Sequence, residues 1–559
     1  MPSGPRWFVC RGIVRPVTEP RPDSTPDRQA DADEPRPAPS RATDRRDGVA
    51  SDAARRPSGA RSDESAGELD LPEDDLPEDD LREEVEEGSP RIARIGRLLG
   101  PVLALGALGL THPDLGAVGG LEAGASWVLA LLALMATWWV TLAIEPAVTA
   151  LLPAVVLPLV GLGTAGEIFG PYANDVLFLF GGGALLGHAL DHTGVSSRLA
   201  LGTIRLAGGS PFRVLAAVMV VTALISAFVS NLATTATMLP LAIALGTRTR
   251  AVASGTEART AADRFSASLL LGIAFASSIG GALTVIGSPP NPIAVKGLAE
   301  AGIEMDFVRW LWFSVPTTAV FLPLAIAILG LWLFPARGIR VPVEHGASRP
   351  LGRDAFVTVA VFLVAVGAWV SMPLYKSSFA VMNDGLVAIA AALVLFLAPS
   401  RARPGRAILE PSALSKVPWH VLVLFGGGIS LADAMQRSGL SSTLGELISA
   451  AGALPSIALL VVLVTALLFA SEIASNTTLA AMSVPIVVAI APGLGVSPEK
   501  LVLPAVFAAS WAFAMPVGTP PNALVFASGR VRAQDMMRAG LVLDVVAIAV
   551  IVTMAAILL

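Results

Sequence analysis

Two short runs of hydroxyl and amide side chains interrupt otherwise apolar stretches of this 559-residue chain. In the first, Ser226 and Ser230 stand four apart, followed by Asn231, Thr234 and Thr235. In the second, Ser471 and Ser475 also stand four apart, followed by Asn476, Thr477 and Thr478. That spacing puts each serine pair on one helical face. Ser and Asn compete for backbone hydrogen bonds and favour helix N-caps. A helix starting just after Asn231 or Asn476 would aim free N–H groups and the positive end of its dipole into the break, which makes an anion site. One such run alone reads as polar glue between membrane helices. Two matched runs point to binding.

Each run is followed by a proline turn, Gly287-Ser288-Pro289-Pro290-Asn291 and Gly518-Thr519-Pro520-Pro521-Asn522. Proline has no N–H and breaks the helical ladder, so within a helix these pairs would free the carbonyls of Val285 and Ile286, and of Pro516 and Val517. Carbonyls freed inside a protein-lined cavity are hard ligands for a hard cation such as sodium. Glu472 lies within the second apolar span, where a carboxylate serves either structural hydrogen bonding or a cation or proton. Its counterpart in the first run is Ala227. His188, Asp191 and His192 are expected near the solvated end of their segment rather than as ligands.

The elements that must position these residues are membrane helices. Hydrophobic residues make up 54% of the chain and charged residues 15%, and mean hydropathy is +0.68, which excludes an ordinary soluble domain. A hydrocarbon core needs ~20 apolar residues per span, leaving room for roughly ten spans after residue 97. Segments near 173–200 and 418–447 are apolar but interrupted by glycine, and suit re-entrant hairpins covered by protein.

The chain also contains itself twice. Phe180-Gly181-Gly182-Gly183 recurs 245 positions on (180 to 425), as do Thr193-Gly194 as Ser438-Gly439, Ser230-Asn231 as Ser475-Asn476, and Pro240 as Pro485. The proline turn recurs at 231 positions (287 to 518), after a small deletion. Two halves with interrupted segments at corresponding positions mark a transporter's binding site. The expected organisation is a tail over 1–90, a first membrane repeat over 91–335 and a second over 336–559, with 336–353 as linker. The tail is rich in Pro, Asp, Glu, Arg and Ser and ends in an acidic run, so it is expected to be disordered. Arg91, Arg94 and Arg97 precede the first apolar run, which favours a cytoplasmic N-terminus. Three later arginine-rich loops do not all fall on one side by this rule.

These motifs resemble the divalent anion:sodium symporter family, the dicarboxylate, citrate and sulfate transporters. The resemblance spans about 97–559. It rests on the intact Ser475-Asn476-Thr477, the altered first copy Ser230-Asn231-Leu232, the stretch Glu145 to Pro153 and both proline turns. It implies an all-α polytopic membrane protein of two inverted repeats, each with a re-entrant hairpin and broken helices, forming a scaffold and a mobile elevator domain. It also implies a homodimer in the plasma membrane. By motif matching, Ser226, Ser230, Asn231 and Gly287 would hold one sodium ion, and Ser471, Ala474, Asn476 and Gly518 another. The substrate site would comprise Ser230, Asn231, Ser475, Asn476, Thr477, Thr519 and Pro520.

Leu232 departs from the pattern by removing a hydroxyl expected to face the substrate, while Ser288 in place of Thr keeps one. No Lys, Arg or His stands at the matched sodium positions, which favours symport over exchange. The reading is therefore a sodium-coupled symporter of a small divalent anion, a C4-dicarboxylate or a sulfate-like ion. The rival is a proton-coupled or exchange carrier of the same fold with Glu472 titrating. No enzyme is expected, because the five histidines form no HExxH motif. Sodium is the only coupling ion implied, no cofactor and no nucleic-acid partner are expected, and the surrounding partner is the lipid bilayer.

Overall fold

The structure is a computed structural model that describes residues 90–115, 121–342, 351–375, 381–450 and 455–559. The tail over 1–90, apart from Pro90, and much of the expected linker lie outside the described residues. Among the described residues the chain is helical throughout, with one isolated bridge between Pro399 and Ala407.

In the first half, α1 (Pro90–Thr111) and α2 (Ala123–Thr141) form an antiparallel pair. Short helices α3 (Pro146–Thr149), α4 (Leu152–Leu159) and α5 (Ala165–Phe169) follow. Glu145 starts α3 by accepting the Val148 N–H at 3.0 Å. Next come α6 (Asp175–His192) and α7 (Val195–Ala207), a helical hairpin turning at Gly194, whose φ of +73° only glycine adopts easily. Asn174 caps α6 by accepting from the N–H groups of Val176 and Leu177. Then α8 (Pro211–Ser226), α9 (Asn231–Val252) and α10 (Thr256–Gly281) pack side by side. Helices α11 (Pro290–Glu300) and α12 (Phe307–Ala327), the latter ending in a π-helical turn over Ile328–Leu333, complete this half.

The second half repeats the order. It comprises α13 (Arg353–Tyr375), α14 (Asp384–Leu397), the hairpin α15 (Trp419–Arg437) and α16 (Leu440–Ala450), then α17 (Ser456–Ser471), α18 (Asn476–Ile490), α19 (Pro498–Ser510), α20 (Pro520–Ala527) and α21 (Ala533–Leu558). Among the described residues seven helices are long and apolar enough to cross a membrane, and shorter apolar helices such as α8, α17 and α18 lie among them.

The triple glycines let the hairpins seat closely. A Cβ on Gly182 of α6 would stand 2.8 Å from Ala388 of α14, and one on Gly427 of α15 would overlap the Ala150 carbonyl. The halves also interleave. Helix α20 of the second packs on α9 and α10 of the first, and α11 of the first packs on α18 and α19 of the second. Phe275 and Phe513 meet edge to face across this seam, with ring centroids 5.3 Å apart.

Candidate functional site: two matched helix breaks

Helix α8 stops at Ser226 and α9 begins at Asn231, so residues 227–230 form a break. Ser230 caps α9, its hydroxyl accepting the Ala233 N–H at 3.3 Å. The Ser226 hydroxyl lies 2.7 Å from the Ser277 carbonyl oxygen and 2.8 Å from Asn231 Oδ1. The second break repeats the serine–asparagine contact but not the side-chain cap, since the Ser475 hydroxyl accepts no N–H of its helix. Helix α17 stops at Ser471 and α18 begins at Asn476. The Ser471 hydroxyl lies 2.6 Å from the Ala509 carbonyl oxygen and 2.8 Å from the Asn476 side-chain amide.

At the second break the Ser471 hydroxyl donates to the Ala509 carbonyl, and the Asn476 amide nitrogen donates to the Ser471 hydroxyl (2.8 Å) and to the carbonyls of Gly518 (3.2 Å) and Ala509 (3.3 Å).

The proline turns are not kinks inside helices. The chain unwinds before them, over 282–289 and 511–519, and Pro290 and Pro520 are the first residues of α11 and α20. Proline suits that position because the first N–H of a helix has no partner in any case. The freed carbonyls therefore belong to irregular segments. Asn291 ties the irregular segment to the end of α10, donating to Gly281 O (2.8 Å) and Thr284 O (2.7 Å). Asn522 holds the second irregular segment, donating to Met515 O (3.1 Å) and Phe513 O (3.4 Å). Both asparagines are fully buried, and both Oδ1 atoms lack a partner.

Gly287 sits where its break meets its turn. A Cβ there would lie 2.6 Å from Gly281 O, 2.8 Å from Ala227 O and 3.0 Å from Ser226 O, so only glycine lets these carbonyls converge. Gly518 holds the same place in the second half, 2.9 Å by the same measure from Glu472 Oε2 and 3.4 Å from Glu472 O.

Glu472 is buried and occupied. Its Oε1 accepts the N–H groups of Phe513 and Ala514, each at 2.8 Å, and its Oε2 accepts that of Met515 at 2.6 Å. Asp544 of α21, also buried, shares the Phe513 N–H at 3.2 Å.

The structure thus gathers Ser226, Asn231 and Gly287 at one break, and Ser471, Asn476 and Gly518 at the other. Ser230 is exposed, while Ala474, Ser475 and Thr477 are half-buried beside them. Thr519 is buried with its hydroxyl accepting the Asn522 N–H at 3.3 Å, and Pro520 is exposed. Away from this centre, His188 and His192 stack on α6, Asp191 accepts from Thr237, and exposed His192 touches Arg403. Sequence reading did not single out Ser277, Asn291, Asn522 or Asp544. The asparagines were visible as the duplicated last letter of each turn, and Asp544 as a carboxylate within a long apolar helix. Ser277 and the Ala509 carbonyl carry no signal in sequence, because their role comes from a neighbouring helix.

Long apolar helices opened at two matched, oxygen-lined breaks define a membrane transporter, and the chain is an integral membrane protein. A family model described as a citrate transporter matches residues 131–502 and 457–559. The sodium-dependent dicarboxylate transporter SdcS of Staphylococcus aureus strain USA300 is 33% identical over 471 residues, covering 82% of this chain and 89% of its own. The same protein from strain NCTC 8325 / PS 47 matches to the same extent. Among solved structures, the Alcanivorax borkumensis YdaH transporter aligns at 16% identity and a TM-score of 0.48, covering 78% of this chain and 96% of its own. The chain belongs to the divalent anion:sodium symporter family. Its family and relatives are transporters and not enzymes.

Proposed function

We propose that this protein takes up a small dianion, foremost a C4-dicarboxylate, driven by sodium. The observation that carries the reading is the convergence, at each break, of a serine hydroxyl, an asparagine side-chain amide and backbone carbonyls. These are hard oxygen ligands that would suit a small cation, one at Ser226, Ser230, Asn231 and Gly287 and another at Ser471, Ala474, Asn476 and Gly518.

The anion would sit between the cations, against the N-terminal ends of α9 and α18, whose free N–H groups and positive dipole ends favour negative charge. Ser230, Asn231, Ser475, Asn476, Thr477, Thr519 and Pro520 would line it. The name of the relative SdcS supports both sodium and dicarboxylate. Leu232 leaves the first side of the site short of one hydroxyl, so a smaller dianion such as sulfate belongs in the same test. We further propose two inverted repeats, an elevator-like movement of the two breaks together, a homodimer, residence in the plasma membrane and a cytoplasmic N-terminal tail. A proton-coupled mechanism is disfavoured because the Glu472 oxygens are already committed to three N–H groups.

The test is uptake of labelled succinate and sulfate into proteoliposomes under an inward sodium gradient, with choline as the replacement. Sodium-dependent accumulation of either supports symport and selects the substrate. Equal uptake in choline that follows a pH gradient would replace this reading with proton coupling.

A further inference from the structure

Near the starts of α10 and α21 and after the end of α12, three arginines with no carboxylate partner among the described residues line two adjoining cavities. One cavity of about 440 Å³ is lined by Arg264 near the start of α10 and Arg337 after α12, with Glu257 on its rim. A second of about 360 Å³ shares Arg264 and adds Trp332, Arg532, Asp535 and Arg538 at the start of α21. Arg532 is tied to Asp535 by two hydrogen bonds, at 2.7 and 3.0 Å. Arg264, Arg337 and Arg538 have no carboxylate partner among the described residues. With Glu257 as the one uncommitted acid, the pair of cavities is strongly cationic.

The helices leading away from these cavities are greasy on their outer faces. Helix α12 runs toward the cavities and α21 runs away from them, packed against each other. Val320, Leu324 and Leu331 are exposed along the first, Met537, Leu541 and Val545 along the second. The last three are spaced by four, so they form one continuous track. Trp332 is exposed at the mouth, as aromatic side chains are where a membrane meets water. A cationic head cavity opening onto apolar tracks matches one kind of molecule in shape and charge.

We infer that this is a binding site for an anionic phospholipid, with its phosphate among Arg264, Arg337 and Arg538 and its acyl chains along α12 and α21. Guanidinium groups favour phosphate because their forked donors meet two oxygens at once. The chain takes a π-helical turn over Ile328–Leu333 just before the cavity, a form that recurs at functional sites. The site shares no residue with either break, so it stands whichever anion is transported.

The test is lipid retention by the full-length purified protein, measured by native mass spectrometry with phosphatidylglycerol or phosphatidylcholine added. Wild type should retain phosphatidylglycerol in preference. Each arginine near a charged lipid surface contributes about fivefold, so Arg264→Gln, Arg337→Gln and Arg538→Gln together should weaken that retention on the order of a hundredfold. Phosphatidylcholine binding should not change. Arg264→Gln alone, which touches both cavities, should give about fivefold and serves if the triple variant folds poorly. Arg250→Gln, whose arginine is paired with Asp263, should have no effect. Soluble glycerol phosphate should not compete; full competition would make this a free-phosphate site and overturn the lipid assignment. Unchanged selectivity in both Arg264 variants would also overturn it.

Discussion

The two helix breaks share one plan and are held together differently. At the first, α10 runs to Gly281, and the Thr284 hydroxyl closes the break by donating to the Ala227 carbonyl. At the second, α19 ends at Ser510, two residues earlier in repeat register, since position 281 corresponds to 512 at the 231-residue offset. That early end strands the N–H groups of Phe513, Ala514 and Met515. Glu472, standing where the first half has Ala227, takes all three. Buried N–H groups left unpaired would each cost free energy, so the carboxylate and the shortened helix require one another. The first break is therefore framed by neutral groups alone, and the second carries a carboxylate beside Gly518. A cation would gain more from the second frame than from the first, and we expect the two proposed sodium sites to be unequal in affinity, the second tighter.

The sharpest way to break the comparison is to remove the amide the halves share. Asn476→Ala should abolish sodium-driven uptake in protein that still elutes as a folded species by size exclusion. Normal uptake by this variant would end the site assignment. Next in size is the element the halves do not share. Glu472→Gln turns an amide NH₂ toward backbone donors and should destabilise the protein by about 3–5 kcal/mol, as breaking a buried charged interaction does. Thermal unfolding in detergent reads this directly, and an unchanged midpoint would show that the 513–515 segment is held by something else. The smallest effect concerns the lost symmetry of the motif. Leu232 is half-buried, and Leu232→Thr restores the hydroxyl found at Thr477. One hydrogen bond to a charged group is worth about 1.5–3 kcal/mol, so preference between succinate and sulfate should shift at least tenfold. An unaltered anion profile would mean that position 232 does not face the substrate.

Much of this arrangement is legible in residue order. Ser230 with Asn231, and Ser475 with Asn476, were visible as helix starts because the residue types that open a helix act within one turn of themselves. The hairpin segments near 173–200 and 418–447 were legible as interrupted apolar runs, but the turns fall at Gly194 and Gly439 while the helices run unbroken through the triple glycines. The proline turns were only half legible. Proline forbids a helix interior, but sequence does not say whether the chain kinks or unwinds, and here it unwinds and the prolines begin the next helix. The span count was also looser in sequence than in structure, because short broken helices such as α8 and α17 carry the hydropathy of spans without their length.

By itself, then, the sequence determined that the chain lives in a membrane, that it is built twice, and which polar side chains stand at the breaks. Hydropathy, repetition and capping all act between near neighbours, so residue order suffices for them. Only the tertiary structure decided what those side chains meet. The Ser277 and Ala509 carbonyls reach the serines from separate helices, Asn291 and Asn522 pin loops ahead of their own helices, and Glu472 finds its three N–H donors about forty residues downstream. Such partners are chosen by packing, through the close approach that Gly287 and Gly518 permit, and packing depends on where distant segments lie in space.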